Sequence, residues 1–188
     1  MSSVSIVFHS VTGTTKSIAA AISKGVSSVD GVAVSCVEIH GSDIVEGRFV
    51  NQTTLTTLDE SDAIIFGSPT FMGCVSAQFK AMADATGDRW AEKTWSNKLA
   101  AGFTIGSNYS GDQLNTLQYL QIFANQHGMI WVGLDIPGNY DPQQRNRLGA
   151  QTGLVAHSLG GHIHEKDLET AHYLGARVAD ITQKLVAG

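Results

Sequence analysis

The sequence predicts an α/β three-layer sandwich, with helices on both faces of a five-stranded parallel sheet in the order 2-1-3-4-5. Three observations carry this. Short apolar runs alternate with longer amphipathic ones along the chain. The apolar runs are nearly continuous rather than alternating, as expected of strands buried on both faces. Of 188 residues, 43 % are hydrophobic and 15 % are charged, which is enough apolar material for a core and too little charge for a disordered chain.

Val4-Ser5-Ile6-Val7-Phe8-His9 is the first strand. A glycine turn then leads into a helix from Lys16 to Ser27, with Ile18, Ala19, Ile22 and Val26 at helical spacing. Val32 to Ile39 forms the second strand, and Ala63-Ile64-Ile65-Phe66 forms the third, just before Gly67. Leu99 to Ile105 and Met129 to Leu134 complete the five. Further helical patterns lie at 75–86, 112–126 and 166–186. Right-handed crossovers leave few topologies for such a series. No repeat, low-complexity tract or linker interrupts it, so residues 1–188 read as a single domain. Two stretches lack periodicity, 41–57 and 135–165. The second holds Pro137, Gly138, Pro142, Gly149, Gly153, Gly160 and Gly161. A loop of about 30 residues inside a compact domain is either a functional or interfacial segment or an excursion that covers the sheet edge.

The formal net charge of -5 argues against a nucleic-acid partner and is low for a carrier that docks by a strongly acidic face. Cys36 sits in an apolar run and reads as buried, while Cys74 sits in a loop. Two cysteines so placed suggest no disulfide framework and a reduced, intracellular setting. The chain starts without the charged and apolar segments of a signal peptide, and no apolar stretch approaches the roughly 20 residues that span a bilayer. The expectation is a cytoplasmic protein with no membrane insertion. His157, His162 and His164 cluster in a glycine-rich segment without the carboxylate and spacing of a metal site, so no metal is expected there.

In an open α/β sheet, ligands bind beyond the carboxyl ends of the strands, at the switch point between strands one and three. Three loops fall there. Ser10-Val11-Thr12-Gly13-Thr14-Thr15 follows a strand and opens a helix, bringing four hydroxyls and the orphan N–H groups of a helix N-terminus together. A phosphate is the expected guest, against the alternative of an ordinary helix cap. Gly67 to Cys74 contains Pro69, Thr70, Phe71, Met72 and Gly73, where two large apolar residues in a loop call for a flat aromatic partner or for burial in the core. Thr104, Ile105, Gly106, Ser107, Asn108 and Tyr109 can offer backbone hydrogen bonds and a ring for stacking. A phosphate at one end and a planar ring at the other describe FMN.

The hydroxyl-rich loop resembles the flavodoxin phosphate signature, and the fold it implies is flavodoxin-like. Asp62-Ala63-Ile64-Ile65-Phe66-Gly67-Ser68-Pro69-Thr70, Phe79-Lys80, Thr86-Gly87-Asp88-Arg89-Trp90-Ala91, Asn97-Lys98-Leu99-Ala100 and Gln126-His127-Gly128-Met129 resemble the WrbA-type NAD(P)H:quinone oxidoreductases and NADPH-dependent FMN reductase-like flavoproteins. The likeness covers roughly residues 4–134 and returns around Ala171 to Leu185. It implies that Ser10 to Thr15 bind the FMN phosphate, that Thr70, Phe71 and Met72 line the isoalloxazine, and that Ile105 to Ser110 meet its other edge. It places His127 beside the flavin as the catalytic candidate. A lone histidine at a strand start otherwise reads as structural. It places Trp90 at a nicotinamide and quinone site across the interface of a dimer or tetramer. Thr12 and Thr14 stand where that family has an aromatic residue and a histidine, and 135–165 also departs from its pattern. The implied chemistry is a ping-pong cycle in which NAD(P)H reduces FMN and a quinone or similar small acceptor reoxidises it. The alternatives are a flavodoxin-like electron carrier to a protein partner, an FMN reductase that releases its flavin, and a flavin-binding regulatory module.

Overall fold

In the computed structural model, which describes residues 1–187, strands and helices alternate almost throughout. In chain order they are β1 (Ser2–His9), α1 (Thr14–Ser27), β2 (Val32–Ile39), β3 (Ile44–Val45), β4 (Arg48–Phe49), α2 (Gln52–Asp59), β5 (Ala63–Pro69), α3 (Ala77–Asp84), α4 (Gly87–Ala91), β6 (Leu99–Gly106), α5 (Gln113–Gln126), β7 (Ile130–Trp131), β8 (Leu154–Leu159), β9 (His162–Ile163) and α6 (Glu165–Ala187). The main sheet runs β2-β1-β5-β6-β8-β9, with β7 also paired to β6. Every pairing in it is parallel except β8 with β9.

The first four strand positions follow the predicted order, and the fifth is divided. β7 pairs with Leu99 and Ala100 at the start of β6, whereas β8 pairs with Phe103 to Gly106 at its end. The predicted strand Met129–Leu134 therefore shrinks to Ile130–Trp131. Val132 still donates to the Ala100 carbonyl at 2.7 Å, but Leu134 donates to the Gln151 carbonyl of the returning chain at 2.8 Å. The segment between is tied to α6. Arg147 makes two 2.8 Å bonds to the Asp167 carboxylate, and the Asn146 N–H donates to Thr170 Oγ1. Stretch 135–165 is thus an irregular cover followed by a strand and a hairpin. Gly160 and Gly161 both have positive φ, which suits the two-residue turn joining β8 to β9.

Stretch 41–57 is also more regular than its sequence suggests. β3 and β4 pair antiparallel, and α2 follows. The run Gln52-Thr53-Thr54-Leu55-Thr56-Thr57 has weak helix propensity, but Asn51 caps it by accepting from the Thr54 N–H at 3.2 Å.

The core has two parts, one on each face of the sheet. Ile6, Ile18, Ile22, Ile65, Phe103, Leu174 and Val178 belong to the face covered by α1 and α6. Val7, Leu55, Ile64, Phe66, Phe79, Trp95 and Phe123 belong to the other, beneath α2, α3 and α5. Cys36 is exposed rather than buried. It lies on β2, the edge strand, which pairs with β1 alone among the described residues. Among the described residues, no helix is long and apolar enough to cross a membrane, and no cluster of His, Cys, Asp and Glu could hold a metal ion.

Candidate functional site

Parallel pairing brings the loops after β1, β5 and β6 to one edge. Phe8 stands beside Gly67, and Pro69 beside Ile105. Between these loops lies a cavity of about 340 Å³, lined by Val11, Thr12, Thr14, Thr15, Pro69, Thr70, Phe71, Ile105, Gly106 and Ser107. Ser158, Gly160 and Gly161 close its far side. These three were not read from the sequence, although Leu154-Val155-Ala156 ahead of a Gly-Gly pair is a strand-and-hairpin signal.

One end of the cavity is built for an anion. Gly13 is the N-cap of α1, with φ of 87° and no side-chain cap. The first turn holds no acidic residue. The hydroxyls of Thr12 and Thr14 lie 3.1 Å apart, and the Lys16 N–H reaches Ser10 Oγ at 3.3 Å. Thr15 is buried. The helix start therefore offers N–H groups and hydroxyls with positive partial charge behind them.

The other end is apolar. Phe71 and Cys74 exchange two backbone hydrogen bonds, of 2.9 and 3.1 Å, around a turn formed by Met72 and Gly73. Both turn residues have positive φ, 47° for Met72 and 78° for Gly73, and the methionine side chain stands fully in solvent. A non-glycine residue held in this region carries strain that its surroundings must support. Asn115 Nδ2 grips the Gly73 carbonyl at 2.7 Å. The Thr70 hydroxyl points inward and meets the hydroxyls of Thr104 and Thr116, each at 2.8 Å. Thr104 is therefore scaffold behind the cavity rather than wall. Asn108 and Tyr109 follow Ser107 in the third loop and are not among the residues lining the cavity; the Tyr109 ring stacks on His157. Val11, Phe71, Met72 and Tyr109 are all exposed. None of the three loops carries a charged residue between 10–15, 67–74 or 104–111. An uncapped helix terminus facing an exposed, uncharged apolar collar fits a phosphate-bearing planar cofactor.

His127 and Trp90 are not part of this cavity. His127 follows the end of α5, at the edge where Ile130 pairs with Leu99 at the start of β6. This is the amino edge of the sheet, opposite the loop at 10–15. His127 and Trp90 line a separate hollow of about 410 Å³ with Lys93 and Gln126. His127 is only 5 % exposed, and its ring packs on Trp95 and Phe123. The Thr86 hydroxyl donates to the Ala83 carbonyl, so His127 Nε2–H donates to Thr86 Oγ1 at 2.9 Å. Burial pushes the imidazole pKa down to about 4. The structure does not bring His127 to the cavity between the three loops, where the resemblance placed it; here it is a neutral, buried histidine. A larger hollow of about 830 Å³ runs along the outer face of α1 and α6, away from the three loops.

An open parallel sheet with a helix start lacking a side-chain cap and a cavity at its switch point is the architecture of the flavodoxin fold. The family model described as NADPH-dependent FMN reductase matches residues 9–136, and the chain belongs to that family. It is similar to flavodoxin FldP of Pseudomonas aeruginosa, 37 % identical over 195 residues and covering both chains fully. An NAD(P)H dehydrogenase (quinone) of Archaeoglobus fulgidus is 34 % identical, over 98 % of this chain and 100 % of that one. The crystal structure of a flavodoxin, WrbA-like protein from Agrobacterium tumefaciens superimposes with a TM-score of 0.78 at 36 % identity, over 98 % of this chain and 99 % of that one. The likeness to these relatives runs through 135–165 as well, beyond the part legible in the motifs. The chain is an FMN flavoprotein, an NAD(P)H-dependent flavin oxidoreductase.

Proposed function

We propose that the chain passes two electrons from NAD(P)H through FMN to a quinone or similar small acceptor. The observation that carries this reading is the uncharged cavity lined by Val11 and Phe71, with exposed Met72 and Tyr109 in the adjoining loops, above a helix start with no side-chain cap. Apolar rims suit planar neutral molecules, and charged faces suit protein carriers. Bound FMN supplies the redox chemistry, and the protein supplies orientation and electrostatics. Thr12, Thr14 and the start of α1 hold the phosphate. Phe71 and Met72 face the ring system, and the loop from Ile105 to Tyr109 meets its polar edge. Relatives named NAD(P)H dehydrogenase (quinone) align over nearly the whole chain, which supports this acceptor class. Trp90, exposed and at the amino edge, serves the nicotinamide and quinone site of a second copy rather than its own, so the working form is a dimer or tetramer. His127 shares that surface, buried beneath it.

A second reading is an electron carrier to a protein partner. The similarity to a protein named flavodoxin and the threonines at 12 and 14 favour it. Anaerobic mixing of the FMN-loaded protein with NADH or NADPH separates the two. Bleaching of the flavin, followed by recovery on adding benzoquinone, is the expected result. A flavin that only dithionite or a reductase partner reduces would overturn the quinone reading and leave the carrier.

A further inference from the structure

The loop over 106–111 is held by two side chains that no motif singled out. Gln113, the first residue of α5 and 1 % exposed, donates from Nε2 to the Asn108 carbonyl at 2.7 Å. A carbonyl only accepts, which fixes which end of the amide faces the loop. The contact is tight: a Cβ on Gly106 would lie 2.7 Å from Gln113 Nε2. Gln113 Oε1 lies buried against Gly111 with no partner among the described residues. His157 Nε2 donates to the neighbouring Ser107 carbonyl at 3.1 Å. His157 is itself fixed. Its backbone N–H donates to Asp167 Oδ2 at 3.0 Å, and the Tyr109 ring stacks on it at 4.3 Å with the planes 20° apart.

In a trans peptide the C=O and the following N–H point in opposite directions, and no peptide here is cis. Tethering the carbonyls of Ser107 and Asn108 therefore turns the N–H groups of Asn108 and Tyr109 away from the tethers. Among the described residues, neither N–H donates to any other group of the chain. Two adjacent oriented donors stand free beside Gly106 and Ser107, which line the cavity.

We propose that Gln113 and His157 are positioning residues that turn the Asn108 and Tyr109 N–H groups toward the polar edge of the flavin ring. The assignment rests on the reading of the cavity as the FMN site. Reduction places negative charge on the N1–C2=O edge of a flavin, and preorganised donors stabilise charge that develops where they already point. The two tethers therefore favour the reduced cofactor over the oxidised one.

The test uses Gln113→Glu, His157→Ala and His157→Gln, the last keeping an N–H donor. FMN affinity is read by fluorescence titration of the apoprotein, and the two-electron midpoint potential by equilibration with a reference dye. Losing one oriented hydrogen bond is expected to lower the preference for reduced over oxidised FMN about tenfold. That is about 30 mV more negative in the two-electron potential. Gln113→Glu and His157→Ala should both show this, and His157→Gln should return toward the parent. His157 is only partly buried, so its variants decide the matter if a Gln113 variant fails to fold. Parent-like potentials in folded His157→Ala overturn the positioning role and leave the FMN site standing. A parent apoprotein that does not bind FMN overturns both.

Discussion

Gly25 of α1 and Gly175 of α6 meet backbone to backbone. A Cβ on Gly25 would sit 1.9 Å from the His172 carbonyl oxygen, and one on Gly175 would sit 2.1 Å from the Ile22 carbonyl oxygen. This crossing fixes α1 against α6, and so fixes where the start of α1 points. Gly175→Ala should destabilise the fold. Overpacking costs about 1–3 kcal/mol, and here the obstacle is backbone that cannot swing aside. Alanine returns roughly 1 kcal/mol through its helix propensity. Backbone that cannot move puts the cost at the upper end of that range, so the net expectation is a loss of up to about 2 kcal/mol, seen as a lower urea midpoint at unchanged m. An unchanged or higher midpoint would show that the two helices can part freely.

The phosphate assignment makes a ligand-specific prediction. Thr12→Val with Thr14→Val removes two hydroxyls from the α1 start while leaving its backbone N–H groups. At about 1–1.5 kcal/mol for each of the two bonds, FMN affinity should fall roughly 30- to 150-fold. Riboflavin lacks the phosphate, and its affinity should not change. Parallel titrations with both ligands check this. An equal fall for both would place these hydroxyls at the ring or ribityl part instead.

Burial of His127 predicts a pH signature. Its pKa is about 4 in the fold, against 6.5 when unfolded. Below pH 6.5 the unfolded chain takes up a proton that the folded chain refuses. Stability therefore falls as pH drops from about 6.5 to about 4, and this contribution levels off below that. The full difference is about 3 kcal/mol. His127→Phe, which cannot titrate, should lose less stability over that window. His9 is also lowered by burial but titrates in both proteins, so the difference between them isolates His127. Identical pH curves for parent and variant would contradict a neutral buried imidazole.

The strand, turn and helix start around residues 10–15 were legible in the sequence because the signal is local: a strand, a glycine and a helix start lie within a dozen residues. The strands at Val4–His9 and Ala63–Phe66 were legible because burial on both faces leaves an unbroken apolar run. β8 was not, since Leu154-Val155-Ala156 is short and its place depends on which half of β6 remains unpaired. Cys36 was misjudged because local apolarity does not distinguish an edge strand from a central one. His127 lies away from the cavity for a related reason: a motif does not record which edge of the sheet, or which copy of the chain, carries a residue.

That last point can be tested through Trp90, which is exposed and lies with His127 at the edge of the sheet away from the FMN cavity. A residue that serves a neighbour's site should be separable from its own chain's cofactor. Trp90→Ala is expected to keep FMN affinity and to lose quinone turnover by roughly tenfold or more, on the scale of a positioning contact at a reacting centre. The decisive step is complementation. Oligomers of Trp90→Ala have intact FMN cavities but no indole, and oligomers of the Thr12→Val, Thr14→Val variant keep the indole beside impaired cavities. Subunit exchange between them creates sites with an intact cavity facing an intact Trp90. Turnover should then exceed the sum of the two separate samples. If mixed oligomers form and turnover only averages, Trp90 acts within its own chain or not at all, and the second copy has no part in the site.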